Sequence, residues 1–335
     1  MTSASDTNPN AASFPGGAEW PDFGWVEDVR PALAAALEAG RDVALATLYR
    51  VEGSSPRGPG VQMLFDGESA VGFFSGGCVE SDVAQHAVQV IADGRPRHLH
   101  YGMGSPWIDI KLRCGGAIHI VVERVPADSE AARALIARMR ARQPALWISD
   151  GAEARVEDAE TADLLTLTQQ PFAIARRFDP RRRLIVSGWD PTAMAIAKLG
   201  ADAQFETYLV REGGPETPPP IEGVDYLRMS AEQALTRLGL DGWTAFVGAT
   251  HDSDLDLPAC AAALKAGAGY VGLLGAASRV PEREAGIIAA GAPPETLKNL
   301  YAPAGMLRLG KAPWRIAIGI VAEVLQVMTG EQARA

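Results

Sequence analysis

The sequence predicts an α/β protein in two parts: a mixed α+β domain followed by a doubly wound parallel sheet. Three observations carry this reading. Strand-like runs with Gly-rich corners dominate the chain up to about residue 125. From residue 183 onward, short apolar strands alternate regularly with helical stretches, the pattern that builds parallel sheets with helices on both faces. The length, 335 residues, exceeds one ordinary domain at a soft prior of ~150 residues each. The expected division is a disordered tail over 1–24, a first domain with its connecting segment over 25–180, and a second domain over 181–330.

The tail is polar, rich in small residues, and has neither a basic nor an apolar block, so it is no secretory signal. Residues 25–39 have helical spacing and early acidic residues, with Gly40 placed to cap the end. "DVALATLYRVEG" (42–53) reads as a strand. "VQMLF" (61–65) and "AVGFFSG" (70–76) are two more, around the turn signal at 66–68. A helix is expected over 80–93, stopped by Gly94 and Pro96. "RHLHY" (97–101) and "AIHIVVERV" (117–125) are strands, 128–142 is a helix, and 144–180 reads as short strands and turns. In the second part, strands at 183–188, 206–211, 243–250 and 269–275 alternate with helices at 190–200, 231–239, 256–267 and 278–291. A last helix is expected over 313–328.

Composition narrows the function. A net charge of −10 argues against non-specific nucleic-acid binding, which needs clustered Lys and Arg. The one basic cluster, "RRFDPRRR" (176–183), reads as a solvated linker. Three cysteines make no closed disulfide framework and suit a reducing cytoplasm. The most apolar late segment is too short for a membrane span and carries Glu323. A cytoplasmic protein with no membrane partner is expected.

The second domain has the shape of a dinucleotide-binding fold with a worn fingerprint. Where GxGxxG would join the first strand to its helix, the chain reads "SGWDPTAMA" (187–195), and only Gly188 remains. Asp190 is a plausible N-cap, but a carboxylate there repels a pyrophosphate. Arg211 replaces the acidic residue expected after the second strand. The remaining candidates lie in loops that follow strands and so face the ligand crevice. His251 and Asp252 in "GATHDSDLD" (248–256) suit acid–base or metal chemistry, though two residues alone make no metal site. Arg279 in "YVGLLGAASR" (270–279) could meet an anion.

The first domain carries the cysteine motifs. "VEGSSPRGPGVQM" (51–63) exposes backbone amides, hydroxyls and Arg57 in a loop that cannot pack a core. "GFFSGGCVESD" (72–82) sets Cys78 after Gly76 and Gly77 at a helix N-terminus, which lowers a thiol pKa, while Glu80 pushes it up. "LRCGGAIHI" (112–120) repeats a cysteine–glycine turn at Cys114 and Gly115. Two such turns suggest soft ligands, thiol nucleophiles or sulfur carriers. Cys260, among alanines on a helix, reads as core.

These motifs in this order resemble the XdhC/CoxI family of molybdenum-enzyme accessory proteins. The likeness rests on "GSSPRGPG", "SGGCVE" and "RCGGAIHIVVE" in the first domain. "THDSDLD", "YVGLLGAASR" and "GMLRLGKAPWRIAIGIVAEVL" carry it in the second. It spans roughly residues 30–328 and implies a Rossmann-like second domain. It also implies a cofactor chaperone rather than a metabolic enzyme. Such a chaperone binds molybdenum cofactor in its molybdopterin form and supports its sulfuration by a cysteine desulfurase. It then delivers the cofactor to an apo molybdenum hydroxylase of the xanthine dehydrogenase type, and self-association is common in the family. Thiolates suit molybdenum and sulfur, so the resemblance assigns Cys78 and Cys114 to cofactor and metal contact, with Ser55, Arg57, Gly76, Gly77, Glu80 and Gly115 beside them. In the second domain it points to Gly188, His251, Asp252 and Arg279. Three departures stand out: "SGWD" for the family's "GAGH", "VR" for "VD", and "WR" at 314–315 for "EE". They count against NAD(P) binding by this domain. The rival reading is an NAD(P)-dependent oxidoreductase.

Overall fold

The computed structural model describes residues 22–67, 69–75, 78–105, 112, 115–159, 163–306 and 309–329. The chain divides into two compact units, Met1–Pro180 and Arg181–Ala335. Most of the tail expected over 1–24 lies outside the described residues; Asp22–Trp25 form a single 3-10 turn.

The first unit opens with α1 (Arg30–Glu38). The sequence predicts a start at residue 25, but Pro31 sits in the helix's first turn, where its missing N–H and ring are tolerated; further inside they would break the helix. A five-stranded antiparallel sheet follows, with β1 (Val43–Glu52), β2 (Gln62–Phe65) and β3 (Ala70–Gly72). Next come α2 (Cys78–Asp93), β4 (Arg97–Gly102) and β5 (Ala117–Val125). The strand order is β3-β2-β1-β5-β4. The alternation of β1 assigns its two faces. Ala44, Ala46 and Leu48 meet Val79, Val83 and Ala87 of α2. Val43 and Leu45 lie with Leu33 of α1 and with residues of the segment that follows.

That segment is α3 (Glu130–Arg140) and a second antiparallel sheet of β6 (Ala145–Ser149), β7 (Ala154–Asp158), β8 (Leu165–Gln169) and β9 (Phe172–Phe178). Its order is β7-β6-β9-β8. Leu135 and Ile136 of α3, Trp147 of β6 and Phe178 of β9 share one core with α1 and β1.

The second unit runs β10 (Arg183–Ser187), α4 (Pro191–Asp202), β11 (Glu206–Val210), β12 (Val224–Leu227) and α5 (Ala231–Leu238). It continues with β13 (Thr244–Gly248), α6 (Ser253–Lys265), β14 (Tyr270–Leu273), α7 (Val280–Ala289), β15 (Leu300–Tyr301) and α8 (Pro313–Thr329). All six strands are parallel, in the order β12-β11-β10-β13-β14-β15. Counted within the unit this is 3-2-1-4-5-6, the order of dinucleotide-binding folds. Helices α4 and α8 cover one face and α5, α6 and α7 the other. Strands β10 and β13 are buried on both faces, which is why they read as unbroken apolar runs. The sequence reading missed β12 and β15, which are short and only half-buried. Helix α6 begins earlier than predicted because Asp252 caps it, and it runs through Pro258.

Candidate functional site

In the first unit, β1 is antiparallel to both β2 and β5, β2 to β3, and β5 to β4. Strands β1, β3 and β4 therefore run in the same direction. The segments that leave them are 53–61, 73–77 and 103–116, which carry the "GSSPRGPG", "SGGC" and "CGG" motifs. All three emerge at one end of the sheet. Two of them are in direct contact. Gly116 lies so close to the first loop that a Cβ on it would stand 2.6 Å from the Glu52 carbonyl oxygen and 2.8 Å from the Ser54 nitrogen.

The first loop is held at its second end, through Gly60. Gly60 N–H donates to the Leu48 carbonyl (2.8 Å) and its own carbonyl accepts from Arg176 Nε (3.0 Å). Arg57 pairs with Glu27 at 3.0 Å and remains partly exposed. The Ser55 hydroxyl is buried with no partner among the described residues, so the loop contains a polar group whose hydrogen bonding is incomplete. Gly115 has φ +75° and is exposed, and its N–H donates to the Leu112 carbonyl at 3.0 Å.

Helix α2 begins at Cys78 itself, which sets the residue at the positive end of the helix dipole. Gly76, Gly77 and Cys114 lie outside the described residues. Glu80 is fully buried. Its Oε1 accepts from the backbone N–H groups of Phe74 (2.8 Å) and Ser75 (2.5 Å), and its Oε2 from the Ser75 hydroxyl (3.2 Å). A third helical residue reaching back to preceding amides is the logic of a capping box. The carboxylate thus braces the turn that delivers Cys78.

Sequence reading missed a ring cluster beside this end of the sheet. His119 Nε2 lies 3.0 Å from Glu52 Oε1, directly before the "GSSPR" loop, and stacks on His100 at 4.3 Å between ring centres. Burial holds the His119 pKa below its usual value, with Glu52 opposing. Tyr49, His98 and Phe172 complete the cluster. The signal was the alternation in "RHLHY" and "AIHIV", which puts His98, His100 and His119 on one face. Among the described residues no group of three or more His, Cys, Asp or Glu could hold a metal ion.

In the second unit the crevice loops follow the carboxyl ends of the parallel strands. The order reverses between β10 and β13, and there the structure pairs residues the sequence left apart. His251 Nε2 lies 3.3 Å from Asp190 Oδ2, across from the β10 loop to the β13 loop. Asp252 instead caps α6, accepting from Asp254 N–H at 2.9 Å. Asp190 also caps α4 through Ala193 N–H at 2.8 Å. Gly188 packs these loops together: a Cβ would come 2.7 Å from the Ala249 oxygen. Its role here is loop packing rather than room for a pyrophosphate. Arg211 lies over the Trp189 ring, 5.7 Å from its centre. Arg279 is exposed and pairs with Glu282 at 3.4 Å, within its own helical turn. Behind the His251 loop, Asp256 is buried and accepts from Thr250 N–H at 3.3 Å; burial raises its pKa. Cys260 is buried and its thiol pKa is pushed far up by desolvation, so it is inert core.

Comparison with known proteins adds the following. The family model described as "XdhC and CoxI family" matches residues 36–102, and "XdhC Rossmann domain" matches 184–324. The chain is 29% identical over 306 residues to the molybdenum cofactor insertion chaperone PaoD of Escherichia coli strain K12, covering 90% of this chain and 89% of that protein. It is 28% identical over 330 residues to a Bacillus subtilis strain 168 protein named as a probable xanthine dehydrogenase component, covering 88% and 96%. Its fold matches a crystal structure described as a xanthine dehydrogenase from Bacillus halodurans. The TM-score is 0.69 at 22% identity, over 91% of this chain and 97% of that one. Among the described residues no helix is long and apolar enough to cross a membrane.

Proposed function

This chain belongs to the XdhC and CoxI family, and on that premise we propose that it is a molybdenum cofactor chaperone. It takes up the cofactor as cargo and passes it to an apo molybdenum hydroxylase of the xanthine dehydrogenase type. A cysteine desulfurase supplies the terminal sulfur while the cofactor is held. The observation that carries the reading is the convergence of three motif-bearing segments at one end of the first sheet, with Gly116 pressed against Ser54. In this reading the exposed amides, Ser55 and Arg57 receive the anionic pterin phosphate. Cys78 and Cys114 supply soft thiolates for molybdenum or sulfur. Glu80 acts through the turn it braces rather than by touching the cofactor. A relative named as an insertion chaperone over nine-tenths of the chain supports the same assignment.

The test is retention of molybdenum cofactor by anaerobically purified protein. Wild type should keep the pterin through desalting, and Cys78→Ala and Cys114→Ala should lose most of it. Wild type that keeps none would refute the reading.

A second reading, an NAD(P)-dependent oxidoreductase, draws on the 3-2-1-4-5-6 strand order. The turn opposes it. The Asp190 carboxylate occupies the α4 N-terminus and consumes the Ala193 N–H, where a dinucleotide would seat its pyrophosphate. Titration with NADH and NADPH should show no binding in the micromolar range; binding with turnover would reinstate this reading.

A further inference from the structure

The ring cluster of the first unit lies outside the sequence motifs, yet it adjoins two of the three segments that carry them. His100 and His119 stand directly opposite one another on β4 and β5, and Arg50 of β1 stands opposite His119. Their neighbours Leu99, Tyr101, Ile118 and Ile120 share a core with α2, so alternation turns both histidines to the other face of the sheet. The pairing of β1 with β5 shifts register between Leu48 and Arg50. Tyr49 therefore occupies a bulge, a device that re-aims a side chain beside a site. Its ring lies 6.0 Å from that of His119 and 5.3 Å from that of Phe172. Glu52 leads straight into the "GSSPR" loop. On the other side, the Ser105 hydroxyl donates to the His100 carbonyl at 2.7 Å, and a Cβ on Gly104 would stand 3.6 Å from His100 Cε1.

Polar groups at this end of the sheet are left incomplete. His100 Nε2 and the Ser55 hydroxyl are both buried with no hydrogen bond among the described residues, and native structures leave few such atoms unexplained. Glu52 is half-satisfied. Its Oε1 lies 3.0 Å from His119 Nε2 and 2.9 Å from Arg50. No hydrogen bond reaches its Oε2 among the described residues, and 41% of the side chain is exposed. The rings of Tyr49, His100 and His119 are half-buried and that of His98 is exposed. One end of the sheet thus offers flat rings, an open carboxylate oxygen and an unpaired imidazole nitrogen. They stand beside a Gly/Ser/Arg loop of the kind that holds an anion.

We propose that this cluster seats the pterin ring of the cargo, with Glu52 and His100 reading the edge of the ring and Tyr49 and His119 lining its face. The proposal rests on the chaperone reading above and extends its site from the phosphate to the ring. The chemistry matches part by part. A pterin is flat, so it stacks on aromatic side chains. Its pyrimidine edge carries an amino group and a ring N–H side by side, and a carboxylate is the acceptor-only group that takes such donors in charge-assisted bonds. His100 Nε2 gains the partner it lacks. The phosphate end of the same molecule then falls to Ser55 and Arg57, in the loop that Glu52 opens. Guanine has the same donor edge, so it is the competitor that the experiment must separate from pterin.

The experiment uses the full chain and three probes without molybdenum: pterin, lumazine and GMP. Lumazine has the same ring system with a carbonyl where pterin carries its amino group, which sets acceptor against acceptor at Glu52. Affinities are read from ligand fluorescence for the two pteridines and by equilibrium dialysis for GMP. Wild type should bind pterin about tenfold or more tightly than lumazine, the worth of a hydrogen bond to a charged group. Glu52→Gln should lose that preference while binding lumazine no worse. His119→Ala should weaken both pteridines about fivefold or more, as loss of a stacking ring does. A structural role alone would not move the pterin-to-lumazine ratio. Thermal melts confirm that each variant is folded, and the wild-type ratio needs no variant. Equal binding of the two rings by wild type, binding of neither, a Glu52→Gln variant that keeps the preference, or GMP bound more tightly than pterin would each overturn the proposal. Retention of molybdenum cofactor by wild type, measured alongside, tests the chaperone reading separately. Its absence would refute that reading, and this proposal with it; retention with no preference between the rings would overturn this proposal alone.

Discussion

Glu80 and Glu123 show how a buried carboxylate can serve structure beside a functional loop. Glu80 satisfies two amides of the turn before Cys78. Replacing it with Ala leaves those donors buried and unpaired, at about 1–3 kcal/mol. Urea denaturation should show that loss, and pterin retention should fall with it; an unchanged midpoint would contradict the bracing role. Glu123 on β5 is buried, accepting from Trp147 Nε1 at 3.2 Å and from the Ser149 hydroxyl. Burial pushes its pKa from 4.5 up to about 7, with the two hydrogen bonds opposing. The folded protein therefore holds a proton that the unfolded chain has released in this window. Its stabilising contribution is complete below pH 4.5 and is lost as pH rises through 7, on the order of 3 kcal/mol. Glu123→Gln should flatten the fall in stability between pH 5 and 7.5 measured by thermal melts. Neither role was legible in the sequence. An Asp or Glu in "CVESD" or "VVERV" looks the same whether it faces water, a ligand or a backbone amide.

At the scale of elements, sequence legibility followed burial and periodicity. Strand β5 matches its predicted span residue for residue, because alternation and β-branched residues both mark it. The buried strands β10 and β13 were legible as apolar runs. Strands β12 and β15 were not, since two to four residues pairing on one side leave no period to detect. Contact between loops was also out of reach. Nothing in "GSSPR" or "CGG" says that Gly116 will abut Ser54. That contact makes a specific prediction. Gly116→Ala should force the two loops apart and destabilise the unit by about 1–3 kcal/mol. It should also weaken pterin retention; an alanine variant as stable as wild type would mean that the loops yield freely.

For the whole molecule, the two units carry separate cores and distinct sheet classes, antiparallel before Pro180 and parallel after Arg181. Expressed separately as 1–180 and 181–335, each should unfold in its own cooperative transition; a unit that stays unfolded alone would show that it depends on the other. The sequence alone determined the fold class, the family, and the order of motifs along the chain. Each of these is a local or ordered property: a hydrophobic period, a glycine–cysteine turn, a spacing. The tertiary structure alone decided which of those motifs meet. Strand direction sends three loops to one end of the first sheet. The switch between β10 and β13 pairs His251 with Asp190 rather than with its neighbour Asp252. The reason is physical: side-chain partners are chosen by strand register and crossover, and these bring together residues far apart in the chain.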